Sequence, residues 1–318
     1  MKPFSALTIL LFATQAAAQD SVILWNDRSN GGTFSCTEGG LSRNFRNNDF
    51  WSQSFETSED DPLCDPYTLP SNWSTPTFPS GSDLTVSLGY LEGGQGTNTI
   101  LDVFAVSLGT LLVGEQNILS MARISTEPTT LTINDAIIND GTIAPGDGFS
   151  DIVIASDMTL QGSGKVLLEV GQNRILSAAP ENRLTVGPDQ EISATLPPFG
   201  FSKISALLTN NGTISGTGGT PTASGGILTL DELPKTNNAL IQAAGRGTVI
   251  IDGITIENAS GTIASQGPDS TISLTNATIN GGTLTGPGST TVATGHSTLN
   301  GPIDLTGGFS LDMVGTTT

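Results

Sequence analysis

Two fourteen-residue segments limit what this chain can become: TLTINDAIINDGTI at 130–143 and TISLTNATINGGTL at 271–284 align without a gap. Apolar stands with apolar at Leu131/Ile272, Ile133/Leu274, Ile138/Ile279 and Ile143/Leu284. Related units lie at 151–164 (DIVIASDMTLQGSG), 248–263 (TVIIDGITIENASGTI) and 291–301 (TVATGHSTLNG). Leu131 to Ile152 is 21 residues, Val249 to Ile272 is 23 and Ile272 to Val292 is 20. Self-similarity at a fixed period of 20–23 residues marks a repeat architecture. Within each unit, two or three Thr/aliphatic alternations are followed by Asn or Gly and another short run. Alternation with period two predicts strands with one buried face. Strands this short, broken by Asn, Gly and Pro-Gly corners, cannot form long hairpins. Stacked on the next repeat, each finds an in-register neighbour about 4.8 Å away. The fold predicted is all-β: a parallel β-solenoid, right-handed β-helix-like, of about ten coils over residues 81–318 and roughly 50 Å long. A hairpin sandwich is the competing fold, because Asn-Gly also marks two-residue hairpin turns, but a sandwich has no reason to keep a 21-residue recurrence.

The corners carry a second signal. Asn139, Asn210, Asn280 and Asn300 each stand three or four residues before the Ile or Leu that opens the next strand. Asparagine tolerates the left-handed backbone of a corner. Its amide can also donate to one coil and accept from another, so these four are expected to form a structural ladder.

Composition agrees with this picture and excludes several functions. Charged residues are only 13% of the 318, Gly number 39, and 11 Lys+Arg face 30 Asp+Glu for a net charge of −19. That balance repels phosphate backbones and argues against nucleic-acid partners. A single histidine rules out multi-His zinc sites. Seventeen aromatics are distributed unevenly, nine of them between residues 19 and 80 with all three Trp. The reading is therefore a signal peptide at 1–18, an aromatic-rich N-terminal cap region at 19–80 and solenoid repeats at 81–318, continuing past Thr318 if the chain is a fragment. Lys2, the apolar run Ala6–Ala13 and the small residues Ala16-Ala17-Ala18 fit a secretory signal, too short to span a membrane. In an exported chain, Cys36 and Cys64 read as one structural disulfide in the cap, worth roughly 3–4 kcal/mol in the chain-entropy model. No later stretch reaches the length of a transmembrane helix, so the mature chain is expected to be secreted or displayed at the cell surface.

No catalytic constellation emerges. G-x-S-x-G, P-loop and dinucleotide motifs are missing from the sequence, and His296 stands where Asn276 stands one coil earlier, a corner position. For Ca²⁺, GGQGTNTIL at 93–101 follows the calcium-roll nonapeptide except that Asn98 replaces its aspartate. Two acidic clusters are better placed: Glu59, Asp60, Asp61 and Asp65 around Cys64, and Asp147 with Asp151. Their ordinary reading is a solvated acidic surface, so no cofactor is assigned. A polysaccharide lyase or hydrolase would need paired carboxylates, for which Asp135, Asp140, Asp147, Asp151 and Asp157 are the densest set. The basic residues Arg123, Lys165, Arg174, Arg183, Lys203, Lys235 and Arg246 show no shared coil position. Trp25, Trp51, Trp73, Tyr67 and Tyr90 offer rings for stacking on sugars, although packing in the cap is the simpler use. The sequons at Asn72, Asn211, Asn258 and Asn276 matter only for a eukaryotic source.

Strings such as LLTNNGTISGTGG (207–219), NDGTIAPGDG (139–148) and INGGTLTGPG (279–288) resemble the repeats of bacterial autotransporter passengers and related secreted β-helix surface proteins. The stretch NWSTPTFPSGSDLTVSL (72–88) similarly resembles the segment that leads into such solenoids. The resemblance covers most of residues 81–318 and implies export, surface display or release, and an adhesive or scaffolding role. It carries over no catalytic residue, and the chain differs from full-length autotransporters in showing no C-terminal membrane barrel. The expected function is that of a non-catalytic structural or adhesive surface protein with glycans or other surface molecules as partners. The alternative is an extracellular carbohydrate-active β-helix enzyme or a glycan-binding module.

Overall fold

The computed structural model describes strands at 22–25, 33–36, 41–45, 55–56, 81–88 and 98–101. It then describes residues 105–314 apart from 122–127, 147, 170, 196–201, 219–224, 268, 287–289 and 308–309. Among the described residues every regular element is a strand. They stack as a parallel β-solenoid of about eight turns. That is short of the ten expected, because many coils are longer than the repeats suggested. Direct partners are 19 residues apart at Ile272/Thr291 but 29 apart at Ile175/Ile204. Insertions at corners lengthen a coil without disturbing the strands on either side, since each strand only has to meet the one above and below.

Each coil contributes to three parallel sheets. The first runs through Thr129–Ile133, Gly148–Ile154, Gly171–Ser177, Ser202–Ile204, Ile227–Leu230, Thr248–Asp252 and Thr271–Thr275. The second runs through Met158–Gln161, Arg183–Val186, Leu207–Asn210, Lys235–Asn237 and Thr255–Glu257. The third shows most plainly why the chain stacks. There Leu119, Ile143, Val166, Ile192, Ile214, Ile241, Ile263, Leu284 and Leu305 are successive Cα partners, so one position is aliphatic in nine successive rungs. All but the last are buried, and Leu305 is 59% exposed at the end of the column. Burying such a side chain contributes about 1.5–3 kcal/mol.

Three features of the register differ from the sequence alignment. Leu131 does not share a column with Ile272. Its line of partners runs Ile152, Ile175, Ile204, Leu230 and Ile251 and meets the other segment at Leu274, two residues on. A slip of two keeps the same face inward, so both remain buried. Ile138 lies on the outward side of its strand and Ile137 fills the interior. Val292 pairs with Ser273, while Ile272 meets Thr291. The aligned pair Ile143/Leu284 does share one column.

At the N-terminal end, Val22–Trp25 extends the second sheet by pairing in parallel with residues 85–88. It then pairs antiparallel with Thr33–Cys36, which continues to Leu41–Phe45 and Phe55–Glu56. Cys64, the expected partner of Cys36, and the 1–18 segment lie outside the described residues. No helix of the described residues is long and apolar enough to cross a membrane.

Two substitutions in one column test this stack. Ile214→Ala, at a fully buried position, should cost about 2–5 kcal/mol as buried methyl groups are lost. Leu305→Ala should cost within about 0.5 kcal/mol. Denaturant midpoints of the two variants measure the contrast.

Candidate functional site

The interior polar groups sit where the chain turns. Asn210 takes the inward place that Val186 holds one coil earlier, and Asn237 follows it in register. Asn210 Nδ2 donates to Asn237 Oδ1 at 2.8 Å, Asn237 Nδ2 donates to Asn258 Oδ1 at 2.7 Å, and Asn258 Nδ2 donates to the Gly281 carbonyl at 3.1 Å. All three asparagines have no exposed surface. Of the four asparagines singled out by sequence, Asn210 is in this ladder. Asn139, also fully buried, donates instead to the Lys165 carbonyl and to Gln190 Oε1. Gln190 returns a bond of 2.6 Å to the Asn139 carbonyl. Asn280 and Asn300 form a separate pair at 3.2 Å on the surface. Asn237, Asn258 and Gln190 were missed. Asn258 was visible only as a sequon, and its inward position excludes an attached glycan in the folded chain.

A second polar assembly surrounds the corner at 231–235. Arg174 and Lys203 are direct cross-strand partners, so two of the basic residues do share a coil position, contrary to the sequence reading. The 29-residue coil between them hides the match. Each like charge is offset by a buried carboxylate. Asp151 accepts both Arg174 Nε and Nη2 at 2.7 Å, and Asp231 accepts Lys203 Nζ at 2.7 Å. The hydrogen bonds that Arg174 donates to Asp151 raise its pKa above the ordinary value. Ser205 donates to the other Asp231 oxygen at 2.5 Å. Beneath this network, Lys235 occupies an inward column otherwise filled by Met158, Leu184, Leu208, Ile256 and Ile279, and is 1% exposed. Its Nζ donates to the carbonyls of Asp231 and Leu233 at 2.8 and 2.5 Å. Burial lowers its pKa from the usual lysine range to about 7, against the opposing pull of Asp231 and Glu232.

The described carboxylates proposed for catalysis are engaged one by one in contacts between coils. Asp135 accepts Thr110 Oγ1 at 3.1 Å, Asp140 accepts the Ser163 amide at 2.9 Å, Asp151 holds Arg174, and Asp157 accepts the Arg183 amide at 2.9 Å. Asp147 lies outside the described residues, as do Arg123, the cluster Glu59, Asp60, Asp61 and Asp65, and Trp51, Trp73, Tyr67 and Tyr90. Trp25 is described in its backbone only, paired with Leu88, and Asn98 likewise, paired with Ile118. His296 is exposed at a corner, its amide donating to Asn276 Oδ1 at 3.0 Å.

An open groove of about 500 Å³ follows the corner between the second and third sheets. One bank is the register column Ile118, Thr142, Lys165 and Glu191. Gln116, Asp140, Ser163 and Asp189 form the other, and Gly141 and Gly164 lie between them. A Cβ on Gly164 would strike the Gly141 carbonyl, so the floor of the groove is bare backbone. Its groups suit hydrogen bonding to a hydroxylated ligand lying along the rod axis.

No family model matches the chain, and neither a curated protein nor a solved structure matches it.

The ladder makes a stability prediction. Asn237→Leu removes one of two acceptors from Asn210 Nδ2, which keeps the Leu240 carbonyl, and the Asn237 donor from Asn258 Oδ1. With a buried unpaired group costing about 1–3 kcal/mol, it should lower stability by about 2–4 kcal/mol. Asn300→Ala, on the surface, should change it by less than about 0.5 kcal/mol. Chemical denaturation of both variants provides the comparison.

Proposed function

We propose that this chain is a secreted or cell-surface structural and adhesive β-solenoid protein that acts through its long outward face and turns over no substrate. One observation carries the reading: the four described carboxylates of the densest catalytic set in the sequence are spent on contacts between coils. Asp135, Asp140, Asp151 and Asp157 accept bonds from Thr110, Ser163, Arg174 and Arg183 in adjacent coils. A hydrolase needs one carboxyl group free to give up a proton and another free to receive it or to attack. The rest of the proposal comes from sequence: a leader at 1–18, a cap at 19–80 closed by Cys36 and Cys64, and kinship in style with autotransporter passengers. No cofactor or metal is part of it.

A glycan is the partner the proposal favours, and the corner groove supports that choice. Its mixture of acidic, amide and hydroxyl groups on a rod of strongly negative charge suits neutral sugar chains better than polyuronates. Purified protein incubated with a panel of insoluble polysaccharides and intact cell-wall fractions should be retained by at least one of them. No new reducing ends and no unsaturated-uronate absorbance should appear. Release of either product would overturn the non-catalytic reading in favour of the enzyme.

A further inference from the structure

Among the described residues Lys235 is the one cation placed in the interior of the stack. Its neighbours above and below in the column are Leu208 and Ile256. The ammonium form has three N–H donors, and the site supplies two carbonyls, those of Asp231 and Leu233. Both belong to the same corner, DELP at 231–234, so the side chain folds back and ties that corner to the strand that follows it in the same coil. Glu232 in this corner holds a left-handed backbone, φ 59°. The charged groups that face the amine are few. Asp231 turns its carboxylate away to Lys203 and Ser205, and Glu232 is exposed. From the adjoining strands it meets the aliphatic side chains just named.

We propose that the 231–234 corner is an acid-opened joint in the rod, latched by the Lys235 amine and its two backbone acceptors. A neutral amine has two N–H bonds to give and matches the two carbonyls, so the latch is complete when the lysine is uncharged. Adding a proton places a full charge and a third donor among aliphatic side chains, and opening the corner lets water solvate both.

The sign of the effect follows from linkage. In the open corner the lysine has its ordinary pKa near 10.4; closed, it is lowered to about 7. Between these values the open form holds one more proton, so opening is favoured tenfold for each unit the pH falls. Below pH 7 both forms are protonated and the effect levels off. The latch is therefore tightest in alkali, weakens from about pH 10 to 7, and is fully released in its energetic effect below that.

Hydrogen exchange resolved to the peptides covering 225–245 tests this in the full chain, with rates divided by the intrinsic exchange rate at each pH. Protection in these peptides should rise about tenfold per unit from pH 7 to 9 and be flat from 6 to 7. Peptides covering 248–263 should show no such slope. Lys235→Met, which fills the column without an ionisable group, should remove the slope. Lys235→Arg, charged throughout, should leave protection low at every pH. Wild-type protection independent of pH between 6 and 9 would overturn the proposal, as would a Lys235→Met variant that kept the wild-type slope.

Discussion

The aliphatic column from Leu119 to Leu284 in the third sheet is the constraint on which the rest of the molecule depends. A parallel stack holds only if every coil returns to the same register with the same face inward. A shift of one residue would turn a whole strand's apolar set outward. The third sheet keeps its register from Leu119 to Leu284, although the spacing between its partners varies from 21 to 27 residues and that in the first sheet from 19 to 29. Length is absorbed at corners, and the strands stay in step. The scarcity of charge in the chain has the same origin: with three short strands per coil, half of their residues must be aliphatic and many of the rest must be small enough to pack beside identical neighbours.

Corners are the cost of that arrangement, because the backbone there leaves the hydrogen-bonded stack while still facing the interior. Buried amides and carbonyls must find partners, and this chain supplies them with side chains at inward positions. Asn210, Asn237 and Asn258 do this along three consecutive coils, each amide bonding its successor. Asn139 and Gln190 do it as a reciprocal pair across 51 residues of sequence. At 231–235 a lysine does the same work. These are three chemical solutions to one problem, and they differ in how they respond to pH, since only the lysine can lose its charge.

How much of this was legible follows from what each feature depends on. The third-sheet pair Ile143/Leu284 is legible by alignment, because the insertions between the two segments leave that column in step. Leu131/Ile272 was assigned two residues out, an error that alternation cannot detect because both choices point inward. Ile138 aligns with Ile279, yet Ile137 is the buried one; two adjacent isoleucines leave the face undecided until the corner before them is known. The asparagine ladder needs to know which coil lies next to which, and a 27-residue coil from Asn210 to Asn237 breaks the 20–23 period that would have told it. Lys235 was unreadable in a different sense. Hydropathy places every lysine at the surface, and only a column that has Leu208 on one side and Ile256 on the other shows that this one is inside.

That last point bears on what a rod of this kind transmits. In a solenoid each coil touches only its neighbours, so stability is a chain of nearest-neighbour terms rather than a shared total. Uniform coils give a uniform rod, and a single weak interface sets where it yields. The coil containing Lys235 carries the asparagine ladder on the same strand, and Asp231, which opens the joint, is held by Lys203 and Ser205 of the preceding coil. Both pin its surroundings with bonds that carry across coils. The polar groups around the joint therefore confine its opening to the corner itself. Coils on either side keep their aliphatic columns, and with them the outward face through which an adhesive rod would act.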